Sequence, residues 1–251
     1  MVELLDLSIV VPLYNEADSL PVLTSEIIST LDPLPLFWEL LYVDDGSSDE
    51  SLPVLRHLAT EEPRLRIVHL ERNCGQSAAL DAGFRHARGS IVVTLDADLQ
   101  NDPADIPRLL DTLGETGVDV VCGVRSRRQD SWLRRVSSKI ANAVRNRLTG
   151  DTITDIGCTL RACRREALCA VPMFTGMHRF LPTLLKLAGA RVIEMPVNHR
   201  ARLYGVPKYG IRNRLWRGCM DLFAVCWMRR RWIDRHLAEE LPHRSTNRGP
   251  I

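Results

Sequence analysis

No apolar run in this chain is long enough to span a bilayer. The longest candidate, Leu222–Met228, is far shorter than the roughly 20 residues a membrane-crossing helix needs. Neither G-x-G-x-x-G nor a Walker A sequence occurs, which argues against a dinucleotide-binding or P-loop protein. The seven cysteines are odd in number and include no C-x-x-C pair. Most of them follow or interrupt apolar runs, so they read as small buried hydrophobes in a reducing cytosol. Met1 leads almost directly into the first strand, with no signal-peptide pattern ahead of it. Repeats, low-complexity tracts and recognised nucleic-acid motifs are also absent. Lysine is scarce: the 33 basic residues include three, Lys139, Lys186 and Lys208.

The charge that is present is divided. Residues 1–124 carry 7 Lys+Arg against 22 Asp+Glu, and residues 125–251 carry 26 against 9, so a net charge of +2 conceals an acidic half and a basic half. Such a division implies a different partner for each. The basic half is nearly all arginine, whose planar fork of donors suits phosphate.

The acidic half alternates buried apolar runs with helical periodicity. Strands are expected at Leu7–Leu13, Trp38–Val43, Arg66–Leu70, Ile91–Leu95 and Val118–Gly123, with helices between them. Asp18 or Ser19 caps the first helix. Asp102-Pro103-Ala104-Asp105 opens the fourth, with an acid in the first turn and proline at its start. This β-α order predicts a mainly parallel sheet covered on both faces, with ligands beyond the carboxyl ends of its strands. Asn15-Glu16, Asp44-Asp45, Asn73 and Asp96–Asp98 all fall at such ends, which makes the acidity a functional rim. The second half is less regular. Helices are expected at Ser137–Leu148, Arg164–Ala170, Arg179–Ala188 and Ile211–Trp232, a strand at Arg191–Val197, and a polar tail from His236.

Asp96 and Asp98 follow an apolar strand, one residue apart, and Gln100 comes two positions later. Asp-x-Asp alone is a common turn sequence. At a strand end, however, oxygen donors converge, and such a set suits a hard divalent cation, Mg2+ or Mn2+, which in turn suits a diphosphate.

Taken in order, Val11-Pro12-Leu13-Tyr14-Asn15-Glu16, Asp44-Asp45-Gly46-Ser47-Ser48-Asp49, Asn73-Cys74-Gly75-Gln76 and Leu95-Asp96-Ala97-Asp98-Leu99-Gln100 resemble a family 2 glycosyltransferase of the GT-A fold. Asp155-Ile156-Gly157-Cys158-Thr159-Leu160-Arg161 and His199-Arg200-Ala201-Arg202-Leu203-Tyr204-Gly205-Val206-Pro207-Lys208-Tyr209-Gly210 are similar to the polyprenyl-phosphate group of that family. This group includes dolichol-phosphate mannose synthases, undecaprenyl-phosphate glucosyltransferases and formamido-arabinose transferases. The resemblance covers roughly residues 7–230. It implies an α/β nucleotide-diphospho-sugar transferase fold with a C-terminal amphipathic helix. Residues 1–210 would form the catalytic domain, divided into a donor half (1–124) and an acceptor half (125–210). Residues 211–235 would form the amphipathic helix and 236–251 a tail.

The same resemblance implies the site. Pro12, Tyr14, Glu16, Asp44 and Asp45 would hold the base and ribose, and Asn73, Gln76, Asp96 and Ala97 would contact the sugar nucleotide, UDP- or GDP-linked. For Asn73 and Gln76, plain helix entry is the competing reading. Asp96, Asp98 and Gln100 would hold the metal. Arg125 would lie near the phosphates, and Arg200 and Arg202 would meet the acceptor phosphate and donor diphosphate. Arg134, Arg135, Asp155 and Lys208 would lie on the acceptor side. Asp155 would position the site or cap a turn. A phosphate acceptor is already an anion, so no strong base is needed and inversion by direct attack follows. The competing functions are transfer to a soluble glycan or hydroxyl acceptor, and a silent nucleotide-sugar-binding scaffold.

In the last helix, Ile211, Leu215, Cys219, Leu222 and Cys226 form one stripe and Trp216, Met220, Phe223 and Trp227 its neighbour, with arginines before and after. Such a helix either lies in an anionic membrane interface or packs on its own domain. The expected partners are therefore a nucleotide sugar, a polyprenyl phosphate and a membrane surface, with a membrane protein or a second copy as a further option and no nucleic acid. The expected location is peripheral, on the cytoplasmic face of a membrane.

Overall fold

The computed structural model of the chain describes residues 5–125, 145–148, 150–201 and 211–232, with side chains of the last segment from residue 220 onward. One seven-stranded sheet organises it, in the order β3-β2-β1-β4-β6-β5-β7. The strands are β1 (Leu7–Leu13), β2 (Trp38–Asp44), β3 (Leu65–His69), β4 (Ile91–Thr94), β5 (Val120–Arg125), β6 (Arg161–Arg164) and β7 (Val192–Val197). All neighbouring pairs are parallel except the two made by β6, which runs antiparallel between β4 and β5.

Every residue of β1 and β2 is buried, as expected for central parallel strands covered on both faces. Their alternation sorts the core into two clusters. Ile9, Val11, Leu40 and Tyr42 face one side with α1 (Leu20–Leu31) and α4 (Ile106–Thr116). Val10, Leu41 and Val43 face the other, with α3 (Gln76–His86), α5 (Arg165–Cys169) and α6 (Leu181–Leu187). The amphipathic stripe of α1, with Leu20, Leu23, Ile27 and Leu31 buried, is the periodicity that marked it in the sequence. α2 (Ser51–Glu61) completes the first cluster through Val54, Leu55 and Leu58.

Four local expectations shift. Ser19 stands at the start of α1, yet its hydroxyl donates back to the Glu16 carbonyl (2.8 Å) and caps no helical amide. Pro103–Asp105 is a 3-10 turn leading into α4, and the Asp102 side chain caps it at Ala104 N–H (3.1 Å). The expected helix from Arg179 begins as a 3-10 turn, Met177–Arg179, because Pro182 sits in the first turn of α6 and sets a fresh start there. β6 was not anticipated: four residues, two of them arginine, carry no apolar period.

The last helix, α7 (Ile211–Arg230), packs on the second cluster through Val225, fully buried, and Leu222 and Met228, partly buried. Met220, Phe223 and Trp227 remain 52%, 70% and 57% exposed on another face. No helix among the described residues is long and apolar enough to cross a membrane. The expected helix from Ser137 falls largely outside the described residues, as does the tail.

Candidate active site

The carboxyl ends of β1, β2, β4 and β5 open into one cleft of about 520 Å³. One rim is three loops stapled to one another, those after β1, β2 and β3. Beyond β1, Asn15 adopts a left-handed backbone (φ 53°), which asparagine tolerates better than most residues. Its N–H donates to Ser47 Oγ (2.9 Å) and its Oδ1 accepts from Ser48 N–H (2.8 Å), while Glu16 N–H donates to Ser51 Oγ (2.9 Å). The loop thereby presents Tyr14 and Glu16 to the cleft. Beyond β2, Asp45 accepts from Cys74 N–H (2.7 Å) and Gly75 N–H (2.9 Å), tying the loop after β3 to its own. Burial pushes the Asp45 carboxyl up, against the pull of those two amides. Gly46 (φ +65°) makes this approach feasible: a Cβ there would stand 2.4 Å from the Arg72 carbonyl carbon.

The fourth loop carries the aspartates. Leu99 is left-handed (φ 61°), a costly conformation for leucine, and it turns the chain so that Asp98 Oδ1 accepts from Gln100 N–H (3.1 Å). Asn101, buried, fixes the other end: its Oδ1 accepts from Asp96 N–H and from Thr159 Oγ1, both at 3.0 Å. Gln76, at the start of α3, donates to Asp96 Oδ1 (2.8 Å). Burial and the neighbouring Asp98 charge push the Asp96 carboxyl up to about 6, with Thr159, Arg161 and Arg125 opposing. Two carboxylates with a deficit of positive charge between them fit a divalent cation. Among the described residues, no group of three or more His, Cys, Asp or Glu is arranged to hold a metal. Asp96, Asp98 and Gln100 are the residues that would hold such a cation.

The second half of the chain closes the opposite wall. Arg125, at the end of β5, lines the cleft and is gripped by Asp155 through two bonds, Nε–Oδ2 2.8 Å and Nη2–Oδ1 2.7 Å. Gly157 allows the grip, since a Cβ there would lie 2.6 Å from Arg125 Nη2. His199, just beyond β7, also lines the cleft, held through a backbone bridge to Asn101.

Pro12, Tyr14, Glu16, Asp45, Asn73, Gln76, Asp96, Ala97, Asp98, Gln100 and Arg125 thus meet in one space. Three expected residues stand apart from it. Asp44 is fully buried and belongs to the turn: Oδ1 accepts from Ser47 N–H (3.0 Å) and Oδ2 lies 2.9 Å from His69 Nδ1. Asp155, expected on the acceptor side, sits behind Arg125 and is bonded to it. Arg200 does not line the cleft either. Its guanidinium is clamped by Glu26 on α1 (2.8 Å) and by Asp102 (2.7 Å), and its N–H donates to the Gln100 carbonyl (2.9 Å). A catalytic arginine is expected there; in the structure its guanidinium lies between two carboxylates. Arg134, Arg135, Arg202 and Lys208 lie outside the described residues. Sequence reasoning missed Asn101, Gly157, Thr159 and His199. His199 had a readable signal, its place directly beyond an apolar strand, but the arginines beside it drew the assignment.

The family model described as "Glycosyl transferase family 2" matches residues 8–171. Among curated proteins, the undecaprenyl-phosphate 4-deoxy-4-formamido-L-arabinose transferase of Edwardsiella ictaluri is 44% identical over 206 residues, 81% of this chain and 63% of that protein. The dodecaprenyl-phosphate galacturonate synthase of Rhizobium johnstonii is 41% identical over 233 residues, 91% of this chain and 69% of that protein. The chain therefore spans about two thirds of the length of these relatives. Among solved structures, glucosyl-3-phosphoglycerate synthase from Mycobacterium tuberculosis, in complex with Mg2+ and uridine diphosphate, superposes with a TM-score of 0.65 at 21% identity, covering 92% of this chain and 81% of that one. At that identity the likeness establishes the fold. Strand order, the matched span and the similarity to these relatives agree that this chain belongs to glycosyl transferase family 2 and has the GT-A fold.

Proposed function

We propose that the chain transfers a sugar from a nucleoside-diphosphate sugar to a polyprenyl phosphate, with inversion and with the help of a divalent cation. The carrying observation is the joining of the Asp96–Asp98 pair, the stapled donor-side loops and Arg125 in one cleft. The relatives at 41–44% identity, named as polyprenyl-phosphate sugar transferases, support the acceptor.

In this reading Tyr14, Glu16 and Asp45 hold the nucleoside, where a carboxylate can accept from a base N–H or a ribose hydroxyl. Asp96, Asp98 and Gln100 hold the cation, which when bound neutralises charge on the departing nucleoside diphosphate. Arg125, kept in register by Asp155, faces the phosphates. The acceptor brings its own anionic oxygen, so no residue needs to remove a proton. The exposed Met220, Phe223 and Trp227, beside Arg229, Arg230 and Arg231, suit a helix resting on an anionic lipid surface where such an acceptor resides.

The test offers a panel of UDP- and GDP-sugars to the protein with Mg2+ or Mn2+ and undecaprenyl phosphate in vesicles, and reads sugar in the organic phase. One donor should give metal-dependent transfer. Transfer confined to water-soluble acceptors would overturn the acceptor assignment, and no turnover with any donor would overturn the activity.

A further inference from the structure

The cleft that this reading assigns to a diphosphate is itself acidic. Glu16, Asp45, Asp96 and Asp98 line it, and its arginine, Arg125, is already paired with Asp155. Among the described residues that line it, the positive charge available to an anionic ligand is Arg125 and the cation that Asp96 and Asp98 would hold. A further cation sits in the adjoining sheet, where Arg161 Nη2 donates to the Ile156 carbonyl, one residue before the cleft-lining Gly157. Arg161 is 2% exposed, among the largest fully buried side chains of the protein. It occupies β6 opposite Thr94 of β4 and Cys122 of β5, the two strands that deliver Asp96 and Arg125. Strand parity places it on the α3 face of the sheet, where Cys122 and Cys163 also point.

Its bonds are few and long. Nη1 donates to the His178 carbonyl and Nη2 to the Ile156 carbonyl, each at 3.2 Å, and Nε has no partner among the described residues. No carboxylate there pairs with it, in contrast to Arg64, Arg66, Arg125 and Arg200. Burying a guanidinium without a counter-ion is costly, and an apolar side chain of similar volume would fill the space more cheaply. Two carbonyls could also be satisfied by a neutral amide, so hydrogen bonding alone does not account for a full charge here. In a low-dielectric setting a fixed charge acts strongly on whatever anion enters nearby, with no reorganisation required.

We infer that Arg161 is a buried electrostatic positioning residue, whose uncompensated charge in the sheet adjoining the cleft attracts and orients the diphosphate of the nucleotide donor. This rests on the nucleotide-sugar reading above. It acts without touching the ligand, by supplementing Arg125 from the sheet side.

The test compares the parent protein with Arg161→Met and Arg161→Lys. Binding of UDP, GDP and the corresponding phosphate-free nucleosides is measured in EDTA and again with Mg2+, alongside unfolding midpoints. Arg161→Met should fold with a midpoint at or above the parent's. It should bind the preferred diphosphate about tenfold more weakly, the worth of one modest charge interaction, with nucleoside affinity unchanged. Arg161→Lys, which keeps the charge and loses the fork, should retain most of the diphosphate preference. Unchanged diphosphate affinity in Arg161→Met, equal losses for nucleoside and diphosphate, or a lysine variant as weak as methionine would each overturn the inference. Should the methionine variant fail to fold, the lysine variant decides: a diphosphate-to-nucleoside preference like the parent's supports the charge role, and loss of that preference refutes it. A parent that binds no nucleoside diphosphate would instead sink the nucleotide-sugar reading on which the inference stands.

Discussion

The two walls of the cleft are built by different means. The wall proposed for the donor is held by backbone amides and small side chains reaching between neighbouring strand ends: Asn15 with Ser47 and Ser48, Glu16 with Ser51, Asp45 with Cys74 and Gly75. The opposite wall, as far as it is described, is held by charge. Arg125 leans on Asp155, and behind the cleft Arg200 leans on Glu26 and Asp102. A wall of short amide bonds is set once the strands pair, whereas a wall of ion pairs depends on each partner keeping its charge.

The largest expected effect lies at the junction of the two walls. Asp98→Asn keeps the shape of the turn and removes one charge from the cation site. Transfer should fall by at least about 10²-fold, as when one preorganised charge-stabilising group is lost. The unfolding midpoint should stay within a degree or two of the parent's. Retained turnover in that variant, with chelator added, would break the assignment.

On the charge-held wall, Asp155→Ala strands Arg125, which is 19% exposed beside a carboxylate of 5%. Breaking such a nearly buried pair from one side costs about 3–5 kcal/mol, to be measured by denaturant unfolding. A loss below about 1 kcal/mol would mean that the pair behaves like a surface bridge and that the contrast between the walls is overstated. On the amide-held wall, Gly46→Ala places a methyl group against the Arg72 backbone and demands a left-handed alanine. The conformation alone costs about 1–2 kcal/mol, and the loop after β3 must also withdraw. Weaker nucleotide binding should accompany the loss of stability; a destabilised protein with unchanged nucleotide affinity would uncouple the staple from the site.

The smallest effect concerns pH. Ser77 Oγ accepts from the backbone N–H groups of Gly176 (3.1 Å) and His178 (3.2 Å), so it donates to His178 Nδ1 (2.8 Å). Burial, with Arg179 and Arg161 nearby, takes His178 from its ordinary value near 6.5 down to about 3. Between those values the unfolded chain binds the proton and the folded one does not. Stability from this group is therefore complete above about 6.5 and declines on acidification, by about 1.4 kcal/mol for each pH unit below it. Stability curves of the parent and His178→Gln between pH 7 and 5 should diverge in that direction. Parallel curves would show that the ring titrates alike in both states.

Much of the donor wall was legible because its signals are local. Each apolar run ends in Asn, Asp or Gly within a few residues, and strand-end geometry does the rest. Asp45 and Asp96 could be assigned to the cleft from position alone. Asp44 could not be separated from Asp45, because which of two adjacent carboxylates turns inward depends on His69, 25 residues away. The charge-held wall was less legible for the same reason at greater range: the carboxylate that clamps Arg200 lies 174 positions earlier on α1. Nothing near Arg200 in the chain announces that partner, so the arginine read as a phosphate ligand. β6 escaped notice because its order comes from the two strands around it.

That inserted strand bears on how the protein can be assembled. β4 and β5 each hydrogen-bond to β6 and leave no seam where the chain could be divided between donor and acceptor halves. A nascent polypeptide ending before residue 161 would present open strand edges on either side of a vacant lane, the arrangement most prone to pairing with other chains. The sheet can close only after roughly two thirds of this sequence has been synthesised, so the aspartates acquire their final support late, and neither half is a folding unit on its own.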